Sequence, residues 1–399
     1  MGAGPQALTL LSYIAEHQPG LLSRTVVFDP DDWLARWHRQ FATYRIPMLR
    51  SGCVHHPHPD PYALIRFARE RGRSEEFRGS IGRPDTRLFA DFCGHLIGEY
   101  GLGALRVAER VRDLHPLTGG GAHLVTRAGT WRATRVVLAS NPVRPVTPTW
   151  LGDARARYPG EAGLVHSGQW VEGMADGADA VVVGGGLTAA QIVANQAAAG
   201  GHVTWLTRAR LRERDLDVEA PWLGSELRRF HAARDAGARL AMAQRARGGG
   251  SIPADDLEML RPLLADGRVT HLQGAVDRVK RTETRWRVSL RHQGTTRVTE
   301  AAHVVCATGS RAHTRSESLL RRCRAQVPVR RVRGMPVLDR DLAWPGTSVH
   351  LMGPLAVVGL GPACRTIIGA RIAAERLLHA WGVDDAPQQY PWPGGELGS

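Results

Sequence analysis

The 399-residue chain is 43% hydrophobic and 23% charged, a globular balance with length enough for two domains or one domain carrying an insertion. No run of eighteen apolar residues, no C-x-x-C pair and no basic-then-apolar leader occurs, so a cytoplasmic protein with no membrane partner, dithiol centre or zinc knuckle is expected. The net charge of +14 does not mark a nucleic-acid partner, because Lys280 is the only lysine and the arginines are scattered without interleaved aromatics.

Pro5 to Ala15 carries apolar residues at helical spacing, and RTVVFDP (24–30) reads as a short strand stopped by Asp-Pro. Residues 31–120 read as mostly helical with loops. HLVTRAGTWRATRVVLAS (123–140) alternates like a β-meander, and NPVRPVTPTW (141–150) is a proline-punctuated linker. DAVVVGGGLTAAQIVANQAAAGGHVTWLTR (179–208) predicts strand, glycine turn, Ala-rich helix and strand. Residues 209–265 read as helical, broken at GGGSIP (248–253), and 269–306 alternates again before AHVVCATGSR (302–311). HLMGPLAVVGLGPACRTIIGARIAAERLLHAW (350–381) predicts strand, Gly-Pro turn and a long amphipathic helix, followed by a loose Pro/Gly-rich tail. One α/β pattern is used twice, the second copy set inside the first.

Both copies carry G-x-G-x-x-A. In the second, Gly184 permits the tight turn, Gly186 lets a pyrophosphate approach the backbone, and Ala189 lets the helix pack on the strand Val181–Val183. The helix N-terminus offers free N–H groups and partial positive charge to phosphates. The following strand ends in Thr207 and Arg208, with Arg210 beyond; a guanidinium there suits a 2′-phosphate, which favours NADPH over NADH. In the first copy, Gly2, Gly4, Pro5 and Ala7 open the helix, and the next strand ends in Asp29, the place of a ribose-binding acid. The strand that normally precedes such a turn is missing ahead of Gly2. Either the natural chain starts several residues upstream, or the sheet has a gap and FAD binds weakly. A Val/Ile-rich strand restored ahead of Gly2 should then raise flavin occupancy.

An acid after the first motif and an arginine after the second is the arrangement of FAD plus NADPH. With it, the chain resembles the class B flavin-dependent monooxygenases and is most similar to the lysine/ornithine N-hydroxylase branch. YPGEAGLVHSGQW (158–170) resembles the fingerprint F-x-G-x-x-x-H-x-x-x-W, with Tyr158 for Phe and a Gly160-to-His166 gap two residues longer. VVCATGSR (304–311), with Ala307, Thr308 and Gly309, matches the Ala-Thr-Gly strand that returns the chain from the NADPH insertion; VVLASNPVRP (136–145) is the earlier crossing, with Ala-Ser-Asn instead. GPLAVVGLGPACRTIIGA (353–370) resembles the terminal flavin segment, where Gly361-Pro362 starts a helix aimed at the flavin's pyrimidine edge.

The resemblance implies an α/β fold of two Rossmann-like dinucleotide-binding domains, the NADPH domain inserted into the FAD domain. The expected boundaries are 1–165 and 306–385 for FAD, 166–305 for NADPH, and 386–399 for the tail. It implies hydride transfer from NADPH to FAD, then oxygenation of a small nucleophilic substrate, an amine, by molecular oxygen through a C4a-(hydro)peroxyflavin. His166 and Trp170 would belong to the domain linker beside NADP⁺, and a homo-oligomer is allowed. Trp37, His38, Leu49, Arg50 and Ser51 sit where the family's chain passes the flavin, although Arg50 and Arg208 read equally as structural or surface charge. HHPHPDP (55–61) reads as a solvated loop beside the flavin, since prolines break metal-ligand spacing, and no metal is expected. A flavoprotein reductase or dehydrogenase without oxygenation, and a degenerate non-catalytic nucleotide-binding protein, are the alternatives.

Overall fold

The computed structural model describes residues 1–171, 173–383 and 385–392. Its parallel strands, in chain order, are β1 (Val27–Phe28), β2 (Arg106–Val107), β3 (Val136–Leu138), β4 (Leu164–His166), β5 (Ala180–Val183), β6 (Val203–Thr207), β7 (Val269–Gln273), β8 (His303–Cys306) and β9 (Val349–Leu351). Three helices matter to the site: α1 (Pro5–His17), α2 (Leu187–Ala198) and α3 (Ile367–Ala380).

The inserted unit is a five-stranded parallel sheet in the order β4-β8-β5-β6-β7. Its central strands are near-continuous apolar runs because both faces are covered: Val181, Val182, Trp205 and Leu206 have no exposed surface. An antiparallel meander (Ala275–Arg281, Trp286–His292, Thr295–Ala301) lies between β7 and β8.

The first unit repeats this plan. β1 pairs with β2, and β3 with β9, all parallel, and a meander (Asp113–Pro116, Ala122–Val125, Thr130–Ala133) lies between β2 and β3. The place of β5 is taken by Met1 and Gly2. Gly2 N–H donates to the Phe28 carbonyl at 2.9 Å, Ala139 N–H to the Met1 carbonyl at 3.0 Å, and the Met1 ammonium to the Val137 carbonyl at 2.7 Å. The spatial order β9-β3-(Met1, Gly2)-β1-β2 therefore matches that of the inserted sheet strand for strand. α1 begins at Pro5, which needs no N–H partner at the first turn, and buries Leu8, Leu11 and Ile14 against Ile368, Ile372 and Leu377 of α3.

The chain leaves and re-enters the first unit side by side. Val143–Pro145 pairs antiparallel with Ser310–Ala312, and Thr308 Oγ1 donates to the Val146 carbonyl at 2.6 Å. The structure redraws three expectations. A boundary at 166 cuts off β4, which belongs to the five-stranded sheet. The helices Ser225–Ala232 and Ala236–Arg247 lie within the insertion in sequence, yet Leu227, Phe230, Ala236 and Leu240 are buried in the first unit's cores, since those are the apolar surfaces their faces meet. The expected loose tail is docked as far as Trp392, which is buried, with Gln389 bonded to Arg371 and to Glu375; residues 393–399 lie outside the described residues. No described helix is long and apolar enough to cross a membrane.

Candidate dinucleotide cleft

A cleft of about 2200 Å³ runs between the units, and both glycine turns open on it. On the first unit's side Gly2, Gly4 and Pro5 line it at the N-terminus of α1. Gly2 has φ +95°, and a Cβ there would stand 3.1 Å from the Ala139 carbonyl oxygen, so the turn needs glycine. Asp29 also lines the cleft; its carboxylate accepts the Ala3 N–H at 2.8 Å and the Asp31 N–H at 3.0 Å. It thus ties the glycine turn to the end of β1. Ala7, in the first turn of α1, is buried.

The second turn is built alike. A Cβ on Gly184 would lie 2.3 Å from the Ala307 carbonyl oxygen, so the end of β8 seats directly on it. Ala189 is buried against the sheet. Arg208 follows β6 and lines the cleft, whereas Thr207 is buried with its hydroxyl 2.8 Å from His271 Nε2. Arg210 is exposed and outside the cleft lining. Ala307, Thr308 and Gly309 line the cleft from the return strand.

His166 and Trp170 line the junction. His166 Nδ1 accepts the Gly168 N–H at 3.0 Å, while Gln169 Oε1 accepts the His166 N–H, so the imidazole caps a short helical turn. Burial lowers its pKa, with the Gly309 carbonyl acting the other way. Its geometry is that of a buried cap at the junction of the two units. Trp170 packs against the core around Val182 and Ala190.

Trp37 lines the cleft and packs edge-on to Phe89 with centroids 5.2 Å apart; His38, on the same helix, is exposed and off the lining. Leu49 and Ser51 line the cleft. Arg50 lines it too, but its guanidinium is spent on the protein. It donates to the carbonyls of Arg214 (2.7 Å) and Asp215 (3.1 Å), to Ser251 Oγ (2.8 Å), and to Asp217 Oδ1 (2.9 Å). Arg50 is a clamp between units rather than a free phosphate ligand. Gly361 and Pro362 are off the cleft: Pro362 opens a short 3-10 turn, and α3 begins at the Thr366 cap, so Arg365, Thr366 and Ile367 face the cleft instead.

HHPHPDP is packed rather than solvated, and none of its residues reaches the cleft. His56 is fully buried, edge-on to Phe92, and the buried Arg371 donates to the carbonyls of Val54 (3.0 Å) and Pro59 (2.7 Å). Among the described residues no group of three or more His, Cys, Asp or Glu could hold a metal ion.

Among the cleft arginines that escaped the sequence reading are Arg247 and Arg365. Arg365 donates to Ser310 Oγ at 3.3 Å, and burial, with the like charge of Arg247, lowers its pKa. Arg247 lies 3.5 Å from Asp217 and donates to the Pro362 carbonyl at 3.2 Å. No motif singles them out among so many arginines; only the fold brings them together.

No family model matches the chain, and no curated protein matches it in sequence. Solved structures do. The ornithine N-hydroxylase of Kutzneria sp. 744, solved with reduced FAD, NADP⁺ and L-ornithine, is 16% identical with a TM-score of 0.74 over 94% of this chain and 96% of that one. The FAD-bound cadaverine monooxygenase of Erwinia amylovora is 17% identical with a TM-score of 0.73 over 100% and 96%. The bacillithiol disulfide reductase of Bacillus cereus is 15% identical with a TM-score of 0.59 over 95% and 96%. The chain therefore has the fold of these flavin-dependent amine monooxygenases along its whole length. At such identities the likeness is one of fold.

The residues present fit two dinucleotides. Each glycine turn has a backbone contact that a Cβ would break, each is followed by a helix N-terminus, and each second strand ends in a cleft residue of the matching charge, Asp29 or Arg208.

Proposed function

We propose that the chain is an FAD- and NADPH-dependent oxidoreductase that oxygenates a small amine. The observation that carries this is the pair of equivalent glycine turns, one ending in Asp29 and the other in Arg208, facing one cleft. In this reading the first unit is the FAD domain and the inserted unit, roughly from the crossing at 143–146 to the return at 309–312, is the NADPH domain. Both have the Rossmann pattern, and the protein acts in the cytoplasm.

Gly2, Gly4 and the first turn of α1 take the FAD pyrophosphate, and Asp29 takes the adenosine ribose. Trp37, Leu49 and Ser51 form the wall past which the ring system lies. The start of α3, at Arg365 and Thr366, supplies positive potential at the far end of the cleft. Gly184, Gly186 and α2 hold the NADPH pyrophosphate, and Arg208 its 2′-phosphate. When bound, FAD accepts hydride from NADPH and activates dioxygen. The chain's own contribution is to align the two dinucleotides, exclude water and keep the neutral His166 and Trp170 at the hinge between them.

The fold is shared with a disulfide reductase, so product must be counted. Purified protein loaded with FAD is expected to oxidise NADPH in a manner coupled to hydroxylated amine, with ornithine, lysine and cadaverine as first trials. NADPH oxidation that yields no hydroxylated amine from any of them leaves a reductase. Failure to retain FAD overturns the reading altogether.

A further inference from the structure

The two glycine turns differ in one respect. In such a turn the second glycine keeps a space clear for the pyrophosphate. At Gly4 that space is open: a Cβ placed there meets nothing within 4 Å. At Gly186 it is filled, because a Cβ there would meet Gly250 Cα at 3.3 Å. The contact is backbone on backbone. A Cβ on Gly250 would stand 2.8 Å from both Gly186 N and Gly186 Cα, and 3.0 Å from Gly185 C.

Gly250 belongs to a run of three glycines stretched between fixed ends. At one end Arg247 closes the helix Ala236–Arg247, which packs in the first unit, and donates to the Pro362 carbonyl. At the other end Ser251 is bonded to Arg50, and Ile252 is fully buried in the inserted unit's core with its N–H on the Arg212 carbonyl at 2.9 Å. Gly248, Gly249 and Gly250 between them are exposed and line the cleft. Three consecutive residues without Cβ can change conformation at little steric cost while their anchors stay put.

We propose that Gly248–Gly250 is a flap that closes the NADPH turn in the free protein and must lift for the nicotinamide dinucleotide to bind. This rests on the reading of Gly184–Ala189 as the NADPH site. A flap that competes with ligand lowers its apparent affinity by the fraction of molecules in the open state. Destabilising the closed flap therefore tightens binding, the reverse of what loss of a binding residue does. Gly250→Ala is the direct test, since its Cβ cannot fit over Gly186 while the flap is closed.

The FAD-loaded protein is titrated with NADP⁺ and the Kd read from fluorescence. Gly250→Ala is expected to lower the Kd several-fold. Gly249→Ala, whose Cβ meets only the Arg212 guanidinium at 3.9 Å, is expected to match the unchanged protein. A Kd that rises or stays level in Gly250→Ala overturns the flap. Hydrogen exchange on the unchanged protein gives a second reading that does not depend on a variant folding. NADP⁺ should protect amides 185–190 and speed exchange at 248–250, and protection of both segments would make the glycines part of the cradle and sink the proposal. If NADP⁺ protects neither segment, the NADPH assignment itself has failed, which is a different result.

Discussion

If the chain takes NADPH as proposed, Arg208 is the residue on which nucleotide choice would turn. It stands exposed at the end of β6, on the cleft. Charge-assisted hydrogen bonds to a phosphate make Arg208→Ala weaken NADPH by roughly 10- to 100-fold, with NADH hardly affected. Steady-state KM values for the two nucleotides check this, and equal losses would remove the 2′-phosphate role. Glu375 titrates inside the first unit. It is fully buried beside Arg371, accepts the Tyr13 hydroxyl at 3.4 Å and the Gln389 N–H at 3.1 Å, and burial pushes its pKa from 4.5 to about 8. The folded carboxyl keeps a proton that the unfolded chain releases. Its contribution to stability is therefore full below pH 4.5 and is lost as the pH rises to about 8. Glu375→Gln should flatten that slope in denaturant midpoints measured across the range. At this scale the sequence was readable where a residue's place follows from a local motif, as for Asp29 and Arg208, which both reach the cleft. It was unreadable for Arg50, whose partners at 214–217 and 251 are more than 160 positions away.

Elements built from local rules could be read almost entirely. The glycine turns, α1, α2, α3 and the Val-rich β5 follow from spacing within a few residues. What could not be read is which surface an element meets. The helices at 225–247 carry apolar residues that could face either unit, and only three-dimensional packing assigns them to the first. The helix Ala254–Ala265 packs Leu260 in the inserted unit's core, but its start is tied back to the first unit. Arg83, only 2% exposed, contacts Asp256 at 2.8 Å and donates from Nε to the Leu49 carbonyl at 2.8 Å. Burial still holds the Asp256 carboxyl above its ordinary range, so the pair is only partly compensated. Removing one partner leaves the other charge buried, and Arg83→Ala should cost about 3–5 kcal/mol. A chemical-denaturation midpoint reads this directly, and a loss under about 1 kcal/mol would mean the pair is worth no more than a surface one.

Across the whole molecule, the clamps between units bear on how nucleotide gains entry. Domains joined through a linker move relative to one another unless their interface holds them. Here several independent ties cross the interface. The Tyr44 hydroxyl donates to the Ser167 carbonyl at 2.6 Å, and Asn195 Nδ2 to the Tyr44 carbonyl at 2.6 Å. Arg50 holds the loop at 214–217, and Arg83 holds the helix at 254–265. Opening the cleft by rotating the inserted unit would break all of these together, whereas lifting three glycines breaks none. The chain should thus keep its overall dimensions when nucleotide binds. Its radius of gyration, about 21 Å for a compact chain of this length, should be the same with and without saturating NADP⁺ in solution X-ray scattering. The double variant Arg50→Ala, Arg83→Ala removes two of the ties and should make the free protein measurably larger, with NADP⁺ drawing it back. An expansion or contraction of the unchanged protein on NADP⁺ binding would show that the units, and not the glycine flap, govern access to the second turn.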